Sequence, residues 1–357
     1  MSIRLGRISR GGLGLALGLA AFTLPAHAQE KTLVISGSGG VVAEATAEIF
    51  IPAFEKETGW TARQVSAEGK RIAEIEAMVK AGKTVWDVSE ISASDYPIAV
   101  GKGLLEPIDY SIVDPDNKLP AAARKEFGVV GASYSTVLVQ RLDKNPEGKK
   151  MESWADFWDV ETFPGPRSLN ARPQYNLEFA LLADGVGKAD LYDVLSTEEG
   201  LDRAFDKLDE IREHIPVWWE SGAQSVQLLS DGEVFYSTTY NGRVNKLQDS
   251  GIPAEIVWNG GALHLSHVGI PKGAVNKEAA NKYVAIRTTR ADLEREYLKV
   301  LPYPNFSPGL FDGMPAELVA TMPTSPANAE MQFEANEQFW ADNIDKIQER
   351  WSEWLLQ

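Results

Sequence analysis

Between residues 31 and 103, short apolar β-type runs alternate with amphipathic helical segments. That alternation restricts the chain to an α/β architecture with a largely parallel sheet. "KTLVISGSGG" (31–40) is a strand running into a glycine-rich loop. "VVAEATAEIFIPAFEKETG" (41–59) reads as a helix with Phe50 and Phe54 on one face, a kink at Pro52 and Gly59 as its C-cap. "WTARQVS" (60–66) is a second strand. "KRIAEIEAMVKAG" (70–82) is a helix whose Ile72, Ile75, Met78 and Val79 share a face and which stops at Gly82. "TVWDVSEIS" (84–92) is a third strand. "SDYPIAVGKG" (94–103) is a short helix, with Ser94 or Asp95 as N-cap and Pro97 in its first turn.

The pattern then repeats with different spacing. "ASYSTVLVQRL" (132–142) is a strand long enough to pass from one domain to another. "SWADFWDVETF" (153–163) opens a capped, aromatic-rich helix, and "GPRSLNARPQYNLEFALLADG" (165–185) gives strand, loop and helix. In "STEEGLDRAFDKLDEIREHI" (196–215), Leu201, Phe205, Leu208, Ile211 and Ile215 face one way. "VWWESGAQSVQLLSDGEVFYSTTYNGR" (217–243) is strand, helix, Asp-Gly turn and strand, and "IPAEIVWNGGALHLSHVGIPKGA" (252–274) reads as two strands. Segments 276–289 and 329–357 are helical. There is no internal repeat or linker-like break.

The first 28 residues read as a cleaved secretory signal: three arginines, an apolar stretch too short to span a bilayer, and Ala26-x-Ala28. The whole chain carries a formal charge of −16, so removing a segment of +3 leaves −16 − 3 = −19. Such an acidic body repels nucleic acid and anionic lipid. With no cysteine there is neither a disulfide nor a thiol for a lipid anchor. A free, soluble periplasmic protein is expected.

The chain resembles periplasmic solute-binding proteins of ABC importers, in the branch that contains the spermidine/putrescine-binding proteins. The resemblance rests on "FEKETG" (54–59), "GKGLLEPID" (101–109), "SWADFWDVETFPGPRSL" (153–169), "LLSDGEVFYSTTYNGR" (228–243), "GIPKGAVNKEAANKY" (269–283) and "PYPN" (302–305), in this order and spacing. It implies a two-lobed α/β periplasmic-binding-protein fold (type II) with hinge strands between the lobes. The first lobe is expected at 29–138 plus 261–303, the second at 139–260 plus 304–357. It also implies a monomer that captures a small amine-bearing solute, such as putrescine or spermidine, and hands it to a permease in the inner membrane.

Ligand contacts are expected where the strands end at the cleft. Ser38 and Gly39 lie in the glycine-rich loop, where backbone can approach a ligand closely; polyamine-binding relatives carry an aromatic there and this chain does not. Tyr240 stands where those relatives place a tryptophan, so it would stack on an alkyl-ammonium chain. In an extended run Trp218 and Trp219 point opposite ways: one to the cleft and one inward, or both into the lobe. Glu220 is either an amine partner or a solvated side chain. Asp95 is an amine partner or a helix cap, Glu90 an amine partner or a strand residue. Asn241 braces a turn, and Arg243 is expected in a surface ion pair. Tyr303, in "PYPN", completes the set.

Two departures point away from a plain diamine. His264 and Ser266 stand where polyamine binders have an aromatic and an ammonium-gripping aspartate. The loop "NARPQYNLEF" (170–179) offers Arg172, Gln174 and Tyr175 where those relatives offer acids. A guanidinium binds carboxylate bidentately, so Arg172 supports an alternative ligand, an amino acid or ω-amino acid of the γ-aminobutyrate kind. An enzyme is not expected: there is no Gly-x-Ser-x-Gly elbow, no His-Glu-x-x-His and no cysteine. His264 and His267 form a poor metal pair on a strand, and the tyrosines lack the clustering that ferric iron needs. No metal or cofactor is expected.

Overall fold

The computed structural model describes residues 31–67 and 70–356. The expected signal segment lies outside them. Eight strands form the main path of one sheet: β1 (Thr32–Gly37), β2 (Thr61–Ser66), β3 (Val88–Ile91), β4 (Gly128–Arg141), β5 (Arg167–Asn170), β6 (Val217–Trp219), β7 (Tyr236–Tyr240) and β8 (Ala254–Pro271). Their order is β2-β1-β3-β8-β4-β7-β5-β6. β2, β1 and β3 are parallel to one another, and so are β7, β5 and β6. The junctions β3–β8, β8–β4 and β4–β7 are antiparallel. The sheet is therefore parallel only at its two ends. The antiparallel centre is made by two long strands, β4 and β8, which run from one lobe into the other.

The expected pair of strands over 252–274 is one strand with interruptions. Between Val257 and Ala262 four residues of β8 face Val137 alone, and a second irregularity lies between Ser266 and His267. Gly260 makes the first bulge possible: its φ is +73°, and a Cβ there would lie 2.7 Å from the Trp154 ring. The Trp154 indole N–H donates to the Gly260 carbonyl at 2.9 Å, so the helix Trp154–Trp158 is tied to the bulge. That helix starts with a full capping box, Ser153 and Asp156.

Each end of the sheet has its own core. Leu33, Ile35, Phe50, Phe54, Val88 and Tyr283 pack together on one side. Trp154, Phe157, Phe179, Phe205, Trp351 and Trp354 pack together on the other. The helix Glu198–Ile211 buries Leu201, Phe205, Leu208 and Ile211, as its periodicity requires, and Thr197 caps it. Burial of each such side chain contributes about 1.5–3 kcal/mol. Pro52 lies inside one continuous helical run, 40–58, whose residues Thr46–Phe50, directly before Ile51 and Pro52, form a π-turn that interrupts the α-helical geometry. Gly59 ends that helix at φ +69°.

The stretch after residue 304 is tied to the two helices that precede it. Asn305 donates to the Arg287 carbonyl at 3.0 Å, Ser307 to the Thr288 carbonyl at 3.1 Å, and Arg295 to the Leu310 carbonyl at 2.9 Å. Residues 305–310 thus pack on the helices Lys277–Thr289 and Ala291–Leu298 of the first lobe. The helix Glu337–Leu355 packs its Phe339, Trp340, Ile347, Trp351 and Trp354 into the second-lobe core.

Candidate functional site

Strand ends supply the cleft. Ser38 follows β1, Glu90 and Ser92 close β3, Asn170 ends β5 and Tyr240 ends β7. Two cavities lie among these residues. One, of about 230 Å³, is lined by Tyr134, Asn170, Arg172, Gln174, Tyr175, Tyr240, His264, Glu337 and Trp340, with Ser94 and Ile98 reaching in from the first lobe. The other, of about 150 Å³, is lined by first-lobe and crossing-strand residues that include Ser38, Arg71, Glu90, Ser92, Ser266 and Tyr303.

The larger of these cavities has a braced aromatic floor. His264 stacks on Tyr134 with ring centres 4.5 Å apart and meets Tyr175 edge-on at the same distance. Its Nε2 lies 3.0 Å from Thr136 Oγ1 and its Nδ1 3.1 Å from Glu337 Oε1. The same carboxylate oxygen accepts the Tyr175 hydroxyl at 3.0 Å. Tyr240 meets Tyr134 edge-on at 5.7 Å and Trp219 at 5.9 Å. Burial raises the Tyr240 phenol above its ordinary range, against the opposing pull of Arg172 and Arg243. Both guanidiniums therefore act on this ring.

Arg243 stands beside it. A Cβ on Gly222 would lie 2.6 Å from Arg243 Nε and 2.7 Å from Tyr240, so the missing side chain leaves room for both. Arg243 Nε is buried without a hydrogen-bond partner. Among the described residues, neither Arg172 nor Arg243 has an acid within ion-pair distance. Arg172 is exposed and Arg243 half-buried, with only its Nε enclosed.

Residues 50–329 match the family described as bacterial extracellular solute-binding protein. The chain belongs to that family. It is 35% identical over 341 residues to the gamma-aminobutyric acid-binding protein of Pseudomonas aeruginosa, covering 95% of each chain. Among solved structures it resembles an ABC transporter substrate-binding protein from Bradyrhizobium japonicum, with 33% identity, TM-score 0.77 and coverage of 90% and 99%. It also resembles the Atu4243 GABA receptor, with 32% identity, TM-score 0.76 and coverage of 90% and 97%. The spermidine/putrescine-binding protein of Streptococcus pneumoniae shares the fold at TM-score 0.71 but only 15% identity. This family member is thus a binding component of an ABC transporter and not an enzyme. The fold expectation stands; the narrower kinship with polyamine binders gives way to relatives of a different ligand class.

The structure brings Arg172, Tyr175, Tyr240 and His264 into one cavity and Ser38, Ser266 and Tyr303 into the other. Gly39 is the N-cap of the helix Gly40–Ala45 and lines neither. Asp95 also lines neither; its backbone N–H donates to Ser92 Oγ at 3.2 Å at the start of its helix. Trp218 is placed away from the cleft: it packs edge-on against Trp351 and Trp354, each at 5.5 Å, on the second-lobe core. Trp219 is buried as well, with its indole N–H on Thr238 at 3.0 Å. Glu220 is exposed, its backbone N–H held by Gln224. Asn241 braces the crossing strand, accepting from the Ser135 N–H at 2.8 Å.

Sequence reasoning missed Tyr134, Glu337 and Trp340, and it assigned Arg243 to a surface ion pair that does not form. Arg243 carried a readable signal: it lies three residues after Tyr240, one turn into the helix Asn241–Asp249, so it returns to the same side.

Proposed function

We propose that this protein is the periplasmic receptor of an ABC importer for an ω-amino acid, with γ-aminobutyrate as the type ligand. The observation that carries the reading is Arg243, whose buried Nε lacks a partner beside Tyr240, with Arg172 on the same cavity. A ligand carboxylate would accept from both guanidiniums. Glu90, across the cleft, would accept the ammonium; its carboxylate accepts the Ser38 N–H at 3.4 Å, in a cavity that Arg71 and Arg287 also line. The aromatic rings of Tyr134, Tyr240 and Trp340 would cover the methylene chain. Relatives named for γ-aminobutyrate support the same ligand class. The polyamine reading is set aside, because two uncompensated cations repel a diamine.

The mature protein is proposed to start at Gln29, to act in the periplasm as a monomer, and to close by rotation of its lobes about β4 and β8. The first lobe would comprise 29–138 plus 261–303, extended by residues 305–310. A thermal-shift screen of the mature chain against γ-aminobutyrate, putrescine, spermidine and the common amino acids tests the ligand class. Stabilisation by γ-aminobutyrate alone among the first three supports it; stabilisation by putrescine or spermidine alone overturns it.

A further inference from the structure

A third and larger cavity, of about 720 Å³, adjoins the two cleft cavities, sharing Glu337 with one and His267 with the other. Its wall includes Leu265, which on β8 alternates with the cleft residues His264 and Ser266, so the cavity sits across the crossing strands from them. Both lobes contribute: Tyr96 and Phe127 from the first, Tyr192 and the start of the helix Glu337–Leu355 from the second.

His267 is the informative residue. The bulge after Ser266 turns it so that it borders this cavity. Its ring stacks on Tyr96 with centres 3.8 Å apart. It is 5% exposed, and neither ring nitrogen has a hydrogen-bond partner. Burial, with Lys125 nearby, pushes the imidazole down to about 3, so it is neutral and one nitrogen is a free acceptor. The charges around the cavity are unevenly committed. Arg124 is paired with Asp114 at 2.9 Å and Lys125 with Glu334 at 3.6 Å. Glu126 and Glu337, also on its wall, have no lysine or arginine partner among the described residues. A neutral acceptor, the carboxylates of Glu337, whose Oε1 already braces Tyr175 and His264, and of the exposed Glu126, and stacked aromatic walls fit an ammonium carried on an apolar body.

We propose that this cavity is a second ligand site, for a small arylalkyl amine, beside the two cleft cavities. Because its walls come from both lobes, an occupant would set the angle between them, and Glu337 lines both cavities.

Calorimetry of the mature full chain with phenethylamine tests this. We expect one binding site that 2-phenylethanol and 3-phenylpropionate do not occupy. His267→Phe keeps the stack on Tyr96, removes the acceptor, and should weaken phenethylamine about tenfold. Tyr240→Ala, in the cleft, should leave it unchanged. Val100→Trp, from a half-buried position on the cavity wall, should abolish it, and serves if His267→Phe fails to fold. Absence of binding at millimolar amine, equal binding of the alcohol, or loss in Tyr240→Ala with retention in His267→Phe would each overturn the proposal.

Discussion

The two walls of the cleft are built from different chemistry. The second-lobe wall is aromatic and braced, and its arginines, Arg172 and Arg243, lack counter-ions. The first-lobe wall is lined by small hydroxyls, Ser38, Ser92 and Ser266, with one carboxylate, Glu90, and two guanidiniums, Arg71, whose buried Nε also lacks a partner, and Arg287. The second wall can hold an anion and an apolar chain before closure; the first adds hydrogen bonds and an ammonium acceptor on closure. The proposed ω-amino acid would place its carboxylate on the second wall and its ammonium at Glu90.

The comparison breaks most easily at Arg243. Arg243→Met should weaken γ-aminobutyrate roughly a hundredfold, because a charge-assisted bond in a desolvated site contributes about 1.5–3 kcal/mol. The same change should leave the melting temperature of the empty protein nearly unchanged, since the guanidinium is half-buried and only its Nε lacks a partner. Calorimetry and a thermal melt of one variant read both. Lower stability with unchanged affinity would return Arg243 to a structural role.

Behind the second wall lies Glu178, fully buried, accepting the Trp340 indole N–H at 2.7 Å. Burial raises its carboxyl from 4.5 to about 7. Between those values the native state keeps a proton that the unfolded chain has released, so stability falls as pH rises through this window. Glu178→Gln should therefore stabilise the protein at pH ~8 by up to about 3 kcal/mol and have little effect at pH ~5. Equal melting shifts at both pH values would show that this carboxyl does not hold a proton.

Tyr240→Ala removes the ring that joins Tyr134 and Trp219 to the cavity. Affinity should fall about tenfold, the scale of one desolvated aromatic contact; unchanged affinity with lost stability would make Tyr240 core. The smallest effect is expected at Trp218. Trp218→Leu should leave affinity within about twofold while costing about 2 kcal/mol of stability, since it touches the second-lobe core and not the ligand. A larger loss of binding would contradict its placement.

The same contrast explains what was legible in the sequence. Strand–helix alternation, the Ser153 capping box, the amphipathic face of 198–211 and the long crossing strand all follow from local periodicity and local hydrogen bonds. Tyr240, Arg172 and His264 were legible through the family resemblance, which implies cleft residues at those positions, and in the structure all three line one cavity. Trp218 could not, because what decides its side is the C-terminal helix more than 130 residues later, whose Trp351 and Trp354 cover it. Glu337 was invisible for the same reason: its partners Tyr175 and His264 come from two distant segments. His267 depended on a bulge that shifts the two-residue alternation, which no local pattern announces.

The central claim is that the cleft grips a carboxylate through the second-lobe arginines. Calorimetry of the wild-type mature protein and of Arg172→Met, each titrated with γ-aminobutyrate and with putrescine, tests it most directly. The account predicts tight γ-aminobutyrate binding by the wild type, at least about tenfold weaker binding by the variant, and no measurable putrescine binding by the wild type. Tight putrescine binding that is indifferent to Arg172 would contradict it.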